Sequence, residues 1–247
     1  MYQKERLDKI LEILKQNGYV AVKHLVEELH YSNATINRDL NVLEGQKLIN
    51  RSYGGVELVH RKSVPLPFRY HKMKTAKNKI AKAAAELVCD GDTIFIDGTT
   101  TTEYMGKYLT DKKNITVITN NIALVAFLCE YDINVICLGG RVEEKPSMLM
   151  GSETVENASC YRADKMFFAS SAFTEDGKIG SDERYFSLLR TMVKNSDVLC
   201  YMGDHEKLNG SYNRVLCNLS DIDYIITDYC FDDKIKEKYK NAEFIEI

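Results

Sequence analysis

The stretch HYSNATINRDLNVLEGQKLINRSYGGVEL, residues 30–58, decides how the chain is organised. Ser32 places a side-chain oxygen just ahead of an apolar-periodic run, the mark of a helix N-cap. Ile36, Leu40 and Leu43 then recur at helical spacing and define one buried face. The run ends near Gly45. KLINRSYGGVEL alternates apolar and polar residues about Gly54-Gly55, which predicts a small hairpin. Upstream, Leu7, Ile10, Leu11 and Leu14 line one helical face, and Gly18 supplies a C-terminal cap. Val22, Leu25, Val26 and Leu29 define a second short helix. Three helices and a hairpin within residues 1–58 are the parts of a winged helix-turn-helix domain.

The third helix turns Asn33, Thr35, Asn37 and Arg38 away from its apolar stripe. In a recognition helix such N-terminal residues meet base edges, where Arg bonds guanine bidentately and Asn bonds adenine. Ser32 and the helix N-terminus suit a phosphate, and Arg51 and Tyr53 flank the hairpin turn as wing residues. Taken singly, each has an ordinary reading: a solvated surface side chain, or Arg38 paired with Asp39. Charge favours nucleic acid. Residues 1–75 hold 13 Lys/Arg against 8 Asp/Glu, whereas the rest holds 20 against 28, although the whole chain is net −3. A basic head on an acidic body keeps the body off the phosphates.

Residues 59–75 read as a linker, since they contain Pro65 and Pro67, two of only three prolines. From residue 76 to 247, apolar strands such as DTIFID, ITVITN, NVICLGG, VLCYMGD and YIITD alternate with helical segments. That alternation predicts an α/β domain with a parallel sheet covered on both faces. Ligands in such sheets sit at the carboxyl ends of the strands. There the sequence places Asp97, Gly98, Thr99, Thr100 and Thr101 before a helix, then Asn120 with Asn121, Gly139-Gly140, and Asp204 with Lys207. Threonine hydroxyls and N–H groups at a helix start accommodate an anion, and Lys207 adds a cation. A Thr-rich helix cap and a surface lysine are the plainer alternatives. No P-loop spacing is present. The seven cysteines show no C-x-x-C pair, which argues against a zinc site. Several lie in apolar runs, as buried reduced thiols of a cytoplasmic protein would. No run approaches 18 apolar residues, so no membrane span is expected. Nothing calls for a cofactor.

The residues Thr35, Ile36, Arg38, Asp39, Leu40, Leu43, Glu44, Leu48, Arg51, Gly54 and Gly55 carry a resemblance to the N-terminal signature of the DeoR family of bacterial transcriptional regulators. Asn37 stands where that family usually has a first Arg, and Lys47 where it has Gly. The body is similar to the family's effector domain at Asp97–Thr102, Thr119-Asn120-Asn121, Gly139-Gly140, Gly151, Asp204 with Lys207, and Ile226-Thr227-Asp228. Thr99 replaces a usual Gly. In YFSLLRTM, residues 185–192, Tyr185 replaces an acid and Leu189 a lysine. The resemblance implies a Rossmann-like α/β effector domain similar to ribose-5-phosphate isomerase and CoA transferases. It also implies a repressor of carbohydrate genes, which binds double-stranded operator DNA and is released by a phosphorylated sugar; a dimer or tetramer is expected because two heads read such DNA. A changed helix at 185–192 implies a changed effector.

Two other readings follow from the same residues. A ligand-blind body would leave a constitutive DNA-binding protein. An isomerase-like enzyme would need a general base, for which Asp97, Asp204, Glu183 and His205 are the candidates. No pairing among them is forced by spacing, so a non-enzymatic regulator is expected.

Overall fold

The computed structural model describes residues 2–17, 19–46, 48–52, 55–58, 73–143 and 148–247. Gly18, Tyr53, Gly54, Pro65 and Pro67 therefore lie outside the described residues, as does the expected linker up to residue 72. The chain forms two compact units, Met1–Lys62 and Ser63–Ile247.

The first unit contains α1 (Gln3–Asn17), β1 (Tyr19–Ala21), α2 (Val22–Leu29), α3 (Asn33–Gly45), β2 (Ile49–Ser52) and β3 (Gly55–Leu58). Ser32 caps α3 as expected: its Oγ accepts the Thr35 N–H at 3.2 Å. Ile10, Leu14, Leu25, Ile36, Leu40 and Leu43 form the buried centre. The hairpin β2–β3 is joined by β1, giving an antiparallel sheet of order β1-β3-β2. Three residues are too few to show an alternation, so β1 leaves no pattern in sequence. Asp39 is fully buried on α3. Arg6 donates to its two oxygens at 2.7 and 3.1 Å, and Gln3 adds 3.1 Å, which ties α1 to α3. A buried carboxylate needs such saturation to offset its desolvation.

The second unit opens with α4 (Lys74–Glu86), which starts just inside the span read as linker. Then come β4 (Thr93–Ile96), a 3-10 turn at Thr102–Met105 running into α5 (Gly106–Leu109), β5 (Thr116–Thr119), α6 (Ile122–Leu128) and β6 (Asn134–Cys137). A hairpin of β7 (Arg141–Glu143) and β8 (Met148–Met150) precedes α7 (Ser152–Ser159), β9 (Ala163–Phe168), β10 (Ala172–Phe173), β11 (Lys178–Ser181) and α8 (Glu183–Lys194). The chain ends through β12 (Ser196–Gly203), a 3-10 turn at His205–Lys207, β13 (Arg214–Asn218), β14 (Tyr224–Thr227), α9 (Asp233–Lys238) and β15 (Glu243–Glu246). Seven strands form one sheet of order β15-β14-β12-β9-β4-β5-β6, and every pairing in it is parallel. All their carboxyl ends therefore share one edge. Two apolar clusters cover the sheet, one around Phe95, Phe168 and Tyr201 and one around Ile96, Phe167 and Met202. Alternate residues of one strand enter opposite clusters, as a doubly covered sheet requires. β10, β11 and β13 make a separate antiparallel sheet.

Two expectations need correction. Only Cys200 and Cys217 are buried; Cys89, Cys129, Cys137, Cys160 and Cys230 are exposed. Cys137 sits on β6, an edge strand, so an apolar run there does not guarantee burial. Burial pushes the Cys200 and Cys217 thiols up to about 12, which keeps them protonated. The helix expected after the threonines is a 3-10 turn followed by a four-residue α-helix. The Thr102 hydroxyl bonds back to Asp97 and to the Thr99 carbonyl, and so tightens that first turn.

Candidate functional site

On the head, Asn33, Asn37 and Asn41 fall at i, i+4, i+8 along α3 and form one polar stripe. The Asn37 amide N donates to the Asn33 carbonyl at 2.9 Å and to the Asn33 side-chain oxygen. Arg51 reaches across from β2: it donates to Asn41 Oδ1 at 2.8 Å and to Asn37 Oδ1. Ser32, Asn33 and Arg38 are exposed, and Thr35 is half-buried with its hydroxyl 2.9 Å from Ser32 Oγ. Arg38 does not pair with Asp39, whose oxygens belong to Arg6 and Gln3. Ser32, Asn33, Thr35, Asn37, Arg38 and Arg51 thus lie on α3 or beside it. Asn41 was not expected; its spacing from Asn33 and Asn37 was the signal.

On the body, β4 delivers Asp97 to the carboxyl edge, where it is 2% exposed. Its Oδ1 accepts the Thr99 N–H at 3.1 Å, the Thr99 hydroxyl at 2.8 Å and the Thr102 hydroxyl at 2.6 Å. Its Oδ2 accepts the Ala169 N–H at 3.0 Å. Burial raises the Asp97 pKa, and the hydroxyls of Thr102 and Thr99 oppose the rise. Asp97 therefore shapes the loop from within. A Cβ on Gly98 would meet Met148 Cγ at 2.8 Å and Asn120 Nδ2 at 3.0 Å, so those side chains would have to shift. Next to β4, β5 ends at Asn120, whose amide N donates to the Leu149 carbonyl at 3.0 Å while its buried Oδ1 has no partner. Asn121 caps α6 through Leu124 N–H at 3.0 Å. Gly139 and Gly140 take φ of +68° and +113°, and a Cβ on Gly140 would overlap Thr154 Oγ1. They make the turn into β7, beyond the end of β6.

The residue not anticipated is Lys77, on the first turns of α4. It is 3% exposed, and its Nζ donates to Thr100 Oγ1 at 3.0 Å. The sequence did carry a signal: Lys77 stands at i with Ile80, Ala81 and Ala84 at i+3, i+4 and i+7, a cation inside an apolar stripe. Lys77 also acts electrostatically on Asp204, two strands away at the end of β12. Asp204 is 2% exposed, and its Oδ1 has no hydrogen-bond partner. Burial raises its pKa, opposed by Lys207 and then Lys77. Asp97, Gly98, Thr99, Thr100, Thr101, Asn120 and Lys207 thus belong to strand ends or adjoining turns on one edge, with Lys77 added from α4. The other acid–base candidates are engaged in ordinary pairs. Glu183 bonds Arg214 at 2.9 Å on the surface, and His205 Nδ1 lies 2.7 Å from Asp228, which raises the His205 pKa. Leu189 is a core residue, and Tyr185 is half-buried, packs against the core and lies under the Arg184 guanidinium.

Comparison with known proteins fits both units. Residues 6–62 match the model of the DeoR-like helix-turn-helix domain, and residues 72–229 match the DeoR C terminal sensor domain. The chain belongs to the DeoR family and is a DNA-binding transcriptional regulator. It is 35% identical over 231 residues to the HTH-type transcriptional repressor GlcR of Bacillus subtilis (strain 168), covering 92% of this chain and 89% of that one. It is 32% identical over 232 residues to the glycerol-3-phosphate regulon repressor of Escherichia coli (strain K12), covering 92% of each. Among solved structures, ribose 5 phosphate isomerase A of Neisseria gonorrhoeae aligns over 53% of this chain and 52% of its own, at 15% identity and a TM-score of 0.40. So slight a likeness carries no argument about activity. Among the described residues no helix is long and apolar enough to cross a membrane, and no cluster of metal-ligating side chains is present.

Proposed function

We propose that the chain is a homo-oligomeric, cytoplasmic repressor of carbohydrate-use genes that releases its operator when a phosphorylated sugar occupies the carboxyl edge of the parallel sheet. Lys77 is the observation that carries the ligand half. A buried ammonium is costly unless its site uses the charge. Here it bonds the Thr100 hydroxyl of a turn rich in hydroxyls, a setting suited to a phosphate. The buried oxygens of Asn120 and Asp204 that lack donors would be satisfied by sugar hydroxyls. Lys207 opposes the rise that burial gives the Asp204 pKa, adding a second cation to the edge. In the head, Asn33, Thr35 and Arg38 face the base edges and Ser32 a phosphate. Residues 59–75 join this head to a body, 76–247, that pairs two heads at a fixed spacing. Relatives named as repressors of the glycerol-3-phosphate regulon and, in Lactococcus lactis, of the lactose phosphotransferase system support a phosphorylated effector.

Thermal unfolding against a panel of sugar phosphates and their unphosphorylated parents tests the ligand. A ligand at about 100 times its Kd adds about 2.7 kcal/mol. One phosphate should stabilise while its parent sugar does not. If no phosphate stabilises, the body is ligand-blind.

A further inference from the structure

We propose that Asn37 is a positioning residue: with Asn41 it holds the Arg51 guanidinium against the outward face of α3, where Arg51 serves a DNA phosphate. This rests on the reading of α3 as the DNA face.

An asparagine that reads adenine bidentately needs its amide N–H as donor to N7 and its carbonyl as acceptor from N6. Asn37 has both groups engaged. Its two N–H bonds go to the Asn33 carbonyl and the Asn33 side-chain oxygen, and its Oδ1 accepts from Arg51. Reading adenine would take one of these N–H bonds from Asn33 and would share Oδ1 between Arg51 and the base. Arg51 lies on β2, fourteen residues downstream, and is half-buried. One terminal nitrogen donates to Asn37 and the other to Asn41 at 2.8 Å. A guanidinium has five N–H donors. Among the described residues two are used, which fixes the fork and leaves the others for another acceptor. Among the described residues no carboxylate is bonded to it; both acceptors are neutral amides, so the positive charge is retained on the α3 face. A rigid planar cation with spare donors matches a phosphate oxygen pair. The arrangement also accounts for residue 37. At the face of α3 that carries Asn37 the hairpin supplies a cation, and the asparagine stripe keeps it in register.

The test uses the full chain and duplex DNA, both a non-specific duplex and the site that the wild-type protein enriches from a random pool. Binding is measured across salt concentration for wild type, Asn37→Ala, Asn41→Ala, Arg51→Ala and the Asn37→Ala/Arg51→Ala double variant. Arg51→Ala is expected to reduce the log–log salt slope by about 1. Asn37→Ala should weaken binding several-fold, evenly across sequences, with an unchanged enriched site and a shallower slope. In the Arg51→Ala background it should have no further effect. Asn41→Ala should act in the same direction and keeps the test open if Asn37→Ala fails to fold. The proposal is overturned if Asn37→Ala changes preference at one base position, if its effect persists without Arg51, or if Arg51→Ala leaves the salt slope untouched. Wild-type protein that binds neither duplex would instead contradict the DNA-binding reading itself.

Discussion

The two units carry their chemistry in opposite ways. The head displays it: Ser32, Asn33, Arg38 and Asn41 are exposed on α3 or at its cap, and among the described residues the interior beneath is apolar apart from the saturated Asp39. The body hides it: Lys77, Asp97, Asn120 and Asp204 are all buried at strand ends and on α4, and two of them hold oxygens without partners. A surface that meets a polyanion needs accessible donors and a firm base, because counterion release does much of the binding. A site that discriminates a small anion from water needs burial, where each hydrogen bond and charge counts for more. The same contrast separates affinity that depends on salt from affinity that depends on fit.

The hardest way to break this comparison is through the cores. Leu40→Ala in the head and Phe95→Ala in the body should each cost about 2–5 kcal/mol. By calorimetry each should lower the unfolding of its own unit and leave the other in place; one transition that shifts with either change would mean the units are not independent. Lys77→Met comes next. It should remove the stabilisation of about 2.7 kcal/mol that a phosphorylated sugar gives at 100 times its Kd, seen as a melting midpoint that no longer moves with ligand. Arg38→Ala should cost about 1–3 kcal/mol at the base position it reads and relax preference there in a binding-site selection, with body melting unchanged. Ser32→Ala should destabilise the head by about 1 kcal/mol, measured by denaturant unfolding of that transition.

The smallest effect is one of pH. The folded Asp204 pKa is raised above 3.8, by burial first. Its contribution is therefore fully present below the unfolded value and is lost as pH rises through the folded one. Asp204→Asn should flatten that loss, so the variant gains on wild type as pH increases from acid toward neutral in urea titrations. A variant that instead loses ground on wild type as pH rises would show that Lys77 and Lys207 outweigh burial.

Much of the head was legible because its signals are local. The Ile36, Leu40, Leu43 stripe and the Ser32 cap depend only on neighbours within a turn or two, and the structure has both. β1 escaped notice because three residues cannot show a period, and it exists through pairing with β3. In the body, strand ends were legible as polar residues after apolar runs, which put Asp97, Asn120 and Asp204 on one edge. Their roles were not. Asp97 is turned inward onto Thr99, Thr102 and Ala169, a matter of tertiary geometry. Lys77 lies on a different element from the loop it serves, twenty-three residues away. Its only local trace was a charge in an apolar stripe. Cys137 misled for a related reason: its run is apolar, but its strand is at the sheet edge.

The central claim is that the two kinds of site are coupled. The direct measurement is the Kd for the enriched duplex, determined with and without saturating amounts of the sugar phosphate that stabilises the body. Coupling of about 1–3 kcal/mol corresponds to a change of roughly 5–150-fold, and a repressor released by its effector should show weaker binding by that factor. An unchanged Kd with the body demonstrably saturated would contradict the account, leaving a DNA reader and a sugar-phosphate binder that share a chain without communicating.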